Sequence, residues 1–531
     1  MNDKEKKRYG LPTLLIVLLV GVLVGLLILP SKKQTNSTSL TKLDEAMALI
    51  ESYYVENQDR DTLTEKMISA ILSKLDPHSR YLSVEELRKE QENIQGGFEG
   101  IGVLLFYQGD TACVDNLIPG GPAEKAGLMP GDRLLAVDTT RIAGVNMSKD
   151  KVVNTIRGPH HSIADITLLR YGESKVRHIR VKRDLISTPS IVYSGMIDNE
   201  TGYIRLTRFC ETSHDEFRIA VKQLKAEGMK SLILDLRSNG GGLLQAALGI
   251  ADELLPGRET IVYTQGDHQR KDISRSTRGG LWCEGKLAVI IDEYSASASE
   301  IIAGTVQDND RGIIIGRRSF GKGLVQRQFS LSDGSAIWLT TARYYTPSGR
   351  CIQRPYDRGT DEYYSEFLEQ LSLEALSDSL LTKINDSTPY HTTKGRIVYG
   401  GGGIYPDHHL KMFTDSLLVY YNRLLDKQCV AQVAFDYVAR NYAQLKKQYT
   451  TEDQFVKEFV TSDELMNACV RLGEKRDVKP HPQTLAKYGD EIRLSIKAQI
   501  GQSLFRSETL YRILLLKDND LTSALRIVKS H

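Results

Sequence analysis

Nothing in this 531-residue sequence offers a paired cysteine motif: six cysteines (Cys113, Cys210, Cys283, Cys351, Cys429, Cys469) are scattered without a CxxC. That scatter disfavours a zinc ribbon or a thioredoxin-like redox motif, and it neither asserts nor excludes disulfides. An excess of charge of either sign is missing too, with 69 basic against 67 acidic residues and a net charge of +2. A nucleic-acid partner would require a basic face or stripe, so none is expected. Internal repeats and long low-complexity tracts are absent, so no repeat architecture is indicated. What is present is an ordinary 41% of hydrophobic residues, enough for sizeable cores, in a length that suits about three domains.

The N-terminus carries one long apolar run. Lys4, Lys6, Lys7 and Arg8 precede Leu11–Leu29, which holds no charge, and a helix of that length reaches across a bilayer's hydrocarbon. No Ala-x-Ala site follows Pro30, so an uncleaved anchor is expected over a signal peptide. The basic flank predicts a single-pass membrane protein with a cytoplasmic N-terminus and an extracytoplasmic, periplasm-like placement of the body. Gln34–Leu40 reads as a linker, and Leu43–Val55 and Leu63–Leu75 as helices. Asp76-Pro77-His78-Ser79 ends the second helix, and His78 there reads as structural.

From Gly96 to about Arg183 the texture becomes short strands between glycine turns, a single β-rich module. Gly121-Pro122-Ala123-Glu124-Lys125-Ala126-Gly127-Leu128, continued by Gly131-Asp132, resembles the signature of a bacterial PDZ domain. Such domains bind peptide C-termini by strand addition, with loop N–H groups holding the carboxylate. On that resemblance Phe98, Gly100, Ile101, Gly102 and Val103 form the peptide-binding loop. From Gly202 onward strands and helices alternate, which predicts a layered sheet with helices against it and catalytic residues at strand ends. Asp357–Pro389 is a polar insertion, and beyond Thr414 apolar residues recur at helical spacing: Leu417, Leu418, Tyr421, Leu424, Leu425, then Val433, Tyr437, Val438. Such stripes signify packing or partner binding.

Three segments carry chemistry. Ser295-Ala296-Ser297-Ala298-Ser299-Glu300 joins the strand-like Leu287–Asp292 to a helix. At such a turn a hydroxyl can face a cleft while the helix's first N–H groups receive an oxyanion. Local chemistry does not choose among the serines, since Ser295 can cap the helix, Ser299 can point into packing, and the run can be a small-residue turn for close approach. No histidine lies near in sequence, so Lys322 in Phe320-Gly321-Lys322-Gly323 is the candidate base, given burial that leaves its amine neutral. Gly316–Gly323 nearly matches a phosphate-cradling loop, but Gly323 stands where a magnesium-binding hydroxyl belongs. Asp235-Leu236-Arg237-Ser238-Asn239-Gly240-Gly241-Gly242 runs a strand into a glycine turn whose N–H groups suit an oxyanion hole.

Together with Leu75–Ser79 and Tyr345-Thr346-Pro347-Ser348-Gly349-Arg350, these motifs resemble the C-terminal processing peptidases, or tail-specific proteases, over roughly Leu43–Asp407. The resemblance implies Ser297 as nucleophile, Lys322 as general base and Gln326 as its orienting partner, the 25-residue separation of Ser297 and Lys322 selecting the middle serine. It implies an oxyanion hole from Ala298 and from Gly241 or Gly242. The family's Asn-Pro-Gly-Gly is Asn239-Gly240-Gly241-Gly242 here, which leaves the donor glycine open. Arg157 is a candidate regulatory link between peptide binding and cleft opening, with a plain surface arginine as the alternative. No metal or cofactor is implied.

The expected fold class is multidomain α/β and β. It comprises a basic tail (1–10), a transmembrane anchor (11–29), a linker and helical region (30–95) and a PDZ β-barrel-like domain (96–183). A layered, crotonase-like α/β protease core (184–412, insertion 357–389) and a helical C-terminal region (413–531) follow. The expected function is a membrane-anchored serine endopeptidase acting on proteins with accessible C-termini, with an oligomer or adaptor contact through the terminal helices. The alternative is an inactive PDZ scaffold at the membrane.

Overall fold

The structure, a computed structural model, describes residues 38–376, 386–412 and 415–530. The apolar run Leu11–Leu29 lies outside them, and among the described residues no helix is long and apolar enough to cross a membrane. The single-pass localisation expected from the sequence is therefore withdrawn. The chain divides into two units, Met1–Ala70 and Ile71–His531. In the first, helix Thr38–Tyr53 starts inside the segment read as a linker, and helix Arg60–Leu72 begins. The second unit holds the sheets and all three chemical motifs.

Its central sheet orders six strands as Ile191–Met196, Thr201–Leu206, Ser231–Asp235, Lys286–Ile291, Ile313–Gly316 and His408–His409. The first pair is antiparallel and the others are parallel. Parallel strands are covered on both faces and so read as near-continuous apolar runs. Leu232, Leu234, Leu287, Val289, Ile291 and Ile314 meet helices Ser213–Ala226, Leu244–Leu254 and Ala298–Asp308 on one face. The alternate residues Tyr203, Ile233, Ala288, Ile290, Ile313 and Ile315 point the other way, as the twofold period of a strand requires. There they meet Leu521, Ala524 and Val528 of the last helix, Asn519–Ser530. The end of the chain is thus one layer of the core.

A second, antiparallel sheet centres on Ala336–Tyr345, which pairs with Arg80–Leu82, Thr260–Gly266 and Leu324–Ser330. Strands Val103–Gln108, Thr111–Leu117, Arg133–Val137, Ile163–Leu169 and Val176–Lys182 form the β-rich module, with helix Lys149–Ile156. Its core gathers Ile101, Val114, Leu134, Ile166 and Val181.

Helices from Leu418 to Leu514 bury Leu424, Val433, Val438, Phe455, Ile492 and Ile496 among themselves. The apolar stripes seen in the sequence are thereby largely covered within the chain. This bundle also touches the β-rich module, where Phe435 stacks on Phe106 at 5.0 Å and Gln108 donates to Asp436 at 2.8 Å. The segment read as a polar insertion, Asp357–Pro389, contains helix Thr360–Leu376 and the start of strand Asp386–His391, which pairs with Ile397–Gly400 beyond it. Tyr363 in that helix is buried, because its ring packs beside Phe320 of the lysine loop.

Candidate active site

Three neighbouring strands of the central sheet end in the three chemical motifs. Ser231–Asp235 leads to the glycine turn, Lys286–Ile291 to the serine run, and Ile313–Gly316 to the lysine loop. The loops converge because parallel strands deliver their C-terminal ends to one edge. They line one cavity of about 760 Å³ that holds Ser297, Ala298, Gly241, Gly242, Lys322 and Gln326, with Phe209, Leu243, Leu244, Ile301, Leu324 and Val325 as apolar walls.

The structure separates the three serines. Ser295 and Ser299 are fully buried. Ser295 Oγ donates to the Leu236 carbonyl at 2.8 Å, and Ser299 Oγ donates to the Asn239 carbonyl at 2.8 Å, so both stitch the helix start to the glycine turn. Ser297 is half-buried and faces the cavity. It sits just before helix Ala298–Asp308 at φ 55°, ψ −113°, a conformation a non-glycine residue holds only when its surroundings impose it.

Glycine is required opposite. A Cβ at Gly241 would lie 2.8 Å from Ser297 Cβ and 3.0 Å from the Ala298 nitrogen, and one at Gly242 would collide with the Phe209 carbonyl. Gly241 N–H donates to Asn239 Oδ1 at 2.9 Å, whereas the Gly242 and Ala298 N–H groups have no hydrogen-bond partner among the described residues.

Much of this geometry hangs on Glu300, which the sequence reading assigned no role. Its fully buried carboxylate accepts from Ser297 N (2.8 Å) and Lys322 N (2.9 Å) on Oε2, and from Ser319 Oγ (2.6 Å) and Gly321 N (2.7 Å) on Oε1. Burial raises its pKa to about 7, against these four bonds, which lower it. Glu300→Gln keeps the shape but aims an NH2 at donors whichever way the amide turns. With a buried unpaired group costing about 1–3 kcal/mol, the variant is expected to lose roughly 2–4 kcal/mol of stability in a denaturant titration. An unchanged midpoint would remove Glu300 as the tie between the two loops.

Lys322 is half-buried, and burial first, then the Arg80 charge, lowers its pKa from the ordinary lysine value; Glu300, Asp76 and Glu90 oppose the shift. Strand Leu324–Ser330, not a helix, follows it, which removes the phosphate-loop reading. Gln326 Nε2 donates to Thr340 Oγ1 at 3.2 Å, and Thr340 Oγ1 donates to Asp76 Oδ1 at 3.1 Å. Asp76 also accepts from the His78 and Ser79 N–H groups, both at 2.8 Å, and from Ser79 Oγ at 2.5 Å.

His78 therefore lies in the shell behind the lysine. Its pKa falls to about 3 through burial and then the Lys322 charge, so it stays neutral. Sequence reasoning saw the Asp-Pro-His-Ser turn but not its destination, because pairing of Arg80–Leu82 with Leu82's partner strand Ala336–Tyr345 is a contact across some 250 residues.

The predicted peptide-binding residues lie elsewhere. Phe98 and Gly100 belong to strand Gly97–Gly100, paired with Asp184–Ser187. Ile101 is buried, Gly102 adopts φ +77°, and Val103 opens Val103–Gln108, which among the described residues pairs only with Thr111–Leu117 and so edges its sheet. None of the five lines the Ser297 cavity; Phe98 lines a separate one of about 520 Å³.

Arg157 joins the two regions. Its guanidinium lies 4.3 Å from the Phe98 ring centre and bonds Glu92 at 2.6 Å. Glu92 sits on helix Val84–Gln95, which also sends Glu90, Asn93 and Ile94 into the Ser297 cavity. The Arg157 side chain keeps 24% of its surface exposed.

Residues 200–360 match peptidase family S41, residues 114–170 match the PDZ domain, and residues 420–506 match a family of unknown function. The chain is 35% identical to a carboxy-terminal-processing protease of Bartonella bacilliformis, over 61% of this chain and 74% of that one. It is 32% identical to the carboxy-terminal processing protease CtpA of Bacillus subtilis, over 60% and 68%. The solved photosystem II D1 C-terminal processing protease aligns over 70% of this chain and 87% of that one, at 28% identity and a TM-score of 0.36. Motifs, site and coverage agree: this chain belongs to peptidase family S41, among its carboxy-terminal-processing serine proteases.

Proposed function

We propose that the chain hydrolyses protein substrates offered by their C-termini, through a Ser297–Lys322 dyad and an acyl-enzyme. The observation that carries this reading is that Ser297, alone of the three serines in the run, lines the same cavity as Lys322, whose burial favours the neutral amine. Neutral Lys322 Nζ takes the Ser297 proton as Oγ attacks the scissile carbonyl carbon. The resulting oxyanion is received by the Ala298 and Gly242 N–H groups, the Gly241 N–H being engaged with Asn239. The charged lysine then protonates the leaving amine as the C–N bond breaks. Water, deprotonated by the again-neutral amine, attacks the ester carbon, and as the C–O bond breaks Ser297 Oγ takes the proton back from the Lys322 ammonium, which restores both residues. Gln326, anchored through Nε2 to Thr340, leaves Oε1 to accept from the ammonium and aim it. The apolar walls at Leu243, Leu244, Ile301 and Val325 suit an apolar residue on the acyl side of the bond.

The PDZ module is read as the capture site. The Phe98–Val103 loop would receive the terminal carboxylate, an added peptide strand would lie along Val103–Gln108, and Arg157 with Glu92 would relay occupancy to the cavity. The test is a substrate protein with an unstructured apolar tail, presented with a free or an amidated C-terminus. The free form is expected to be cleaved at least about tenfold faster, a difference of about 1.4 kcal/mol, and Arg157→Ala is expected to erase that preference. A fluorophosphonate is expected to label Ser297 and stop cleavage. Equal cleavage of both tails would remove the capture role, and labelling elsewhere would remove the nucleophile.

A further inference from the structure

The back of the catalytic edge is tied together by the last stretch of the chain. Arg237, one residue before the Ser238–Gly242 turn, donates to Asp518 Oδ2 at 2.6 Å and to Asp520 Oδ2 at 3.3 Å. Arg317, at the start of the lysine loop, donates to the same Asp520 Oδ2 at 3.0 Å and to Glu293 Oε2 at 2.7 Å. Glu293 lies in the run from strand Lys286–Ile291 into the serines.

Arg237 also bonds the fully buried Asp235 at the end of its own strand, at 2.6 Å. Strands Ser231–Asp235 and Ile313–Gly316 flank Lys286–Ile291. Two carboxylates more than 200 residues away in sequence therefore bridge the outer two of the three loops and reach the middle one through Glu293. Asp518 Oδ1 additionally accepts from Leu521 N at 2.9 Å, capping helix Asn519–Ser530. That helix is held by its own apolar face on the sheet and by Lys529 bonded to Asp198 at 2.6 Å.

We propose that Asp518 and Asp520 are positioning residues for the protease reaction, holding the glycine turn and the lysine loop at the spacing the dyad needs. The proposal rests on the Ser297–Lys322 reading. The arginines are side chains of the loops themselves, so loss of the bridging charge lets each loop relax separately. The sheet keeps its hydrophobic cover from Leu521, Ala524 and Val528. The helix also keeps its cap in Asp518→Asn, since asparagine caps as well as aspartate. A misplacement of about 1 Å in a catalytic group costs on the order of 100-fold in rate.

The test is the full chain carrying Asp518→Asn, Asp520→Asn or both, with Ser297→Ala alongside. Turnover, KM and the thermal midpoint are measured on the same preparations. The double variant is expected to lose at least about tenfold in kcat with KM within about twofold, while remaining folded at the assay temperature, the pattern of an interaction needed in the transition state. Asp520→Glu, which keeps the charge, is expected to recover most of the loss relative to Asp520→Asn. Wild-type kcat in the double variant, or a loss that only follows the unfolded fraction, overturns the proposal. If Ser297→Ala is itself active, the dyad reading has failed first; if it is inactive while the double variant is normal, only the brace has failed.

Discussion

Ser297→Ala is expected to reduce turnover by about 10⁴-fold or more while leaving the fold intact, since removing the nucleophile of a coupled catalytic unit costs about as much as removing the whole unit. The structure separates the chemical effect from the structural one. The turn is held by backbone groups that alanine keeps: Ser297 N–H donates to Glu300, and the Ser297 carbonyl accepts from the Tyr344 hydroxyl at 3.2 Å. Alanine bears the same positive φ with the same Cβ, so the backbone strain does not change.

Ser295→Ala and Ser299→Ala provide the contrast. Each deletes a buried hydroxyl that ties the helix to the glycine turn. Each is expected to lower stability by about 1–2 kcal/mol, the usual effect of a lost buried hydrogen bond, without abolishing cleavage. Purified variants would be compared by single-turnover cleavage and by thermal melts. Retention of more than about a tenth of wild-type rate by Ser297→Ala, against the large loss a nucleophile requires, sinks the assignment.

The layered core was legible because its strands are apolar on both faces, as Leu232–Leu236 and Leu287–Ile291 show in sequence alone. The PDZ module was legible through its turn glycines, whose left-handed φ at Gly127 and Gly131 is a backbone demand that leaves a mark on composition. Local chemistry left the three serines equal, and the family spacing to Lys322 selected Ser297; the burial of Ser295 and Ser299 is the physical difference that no local pattern carries. Glu300 stood in plain sight at the end of the serine run. Its four hydrogen bonds, however, join a helix start to a loop some twenty residues on, and only the folded sheet brings those donors together.

The Asp76–Thr340–Gln326 chain and the Asp518–Arg237 pair are likewise contacts across the fold. For the proposed oxyanion hole, the engagement of Gly241 N–H by Asn239 Oδ1 favours Gly242 as the donor that the sequence left open. The reading of 413–531 as one helical tail missed that its last helix leaves the bundle to cover the central sheet. The stripe Leu521, Ala524, Val528 has the same period as those before it, and periodicity says that a face is buried without saying against what.

Replacing Lys322 by methionine is expected to reduce kcat by about 10³-fold or more, the loss typical of a missing base in a coupled nucleophile–base pair, and at the same time to make the protein more stable at neutral pH. Methionine fills the lysine stem's space without a charge to desolvate. Burial lowers the pKa of Lys322 in the native state, so between that lowered value and the unfolded value near 10.5 the unfolded chain binds more protons than the native one. Stability contributed by this group therefore rises with pH through that window, and its deficit is greatest below it. The methionine variant has no such deficit. Its advantage in thermal midpoint is expected to be largest near pH 7 and to shrink as pH approaches 10.

The same titration governs activity. In the wild type kcat/KM should fall on the acid side as the amine takes a proton, with the midpoint below the ordinary lysine range. A methionine variant that cleaves at the wild-type rate removes Lys322 as the base. One that is inactive but less stable at pH 7 would mean that the lysine's attraction to Glu300 and Asp76 outweighs its burial. The amine would then be charged at rest, and the proton from Ser297 would need another acceptor.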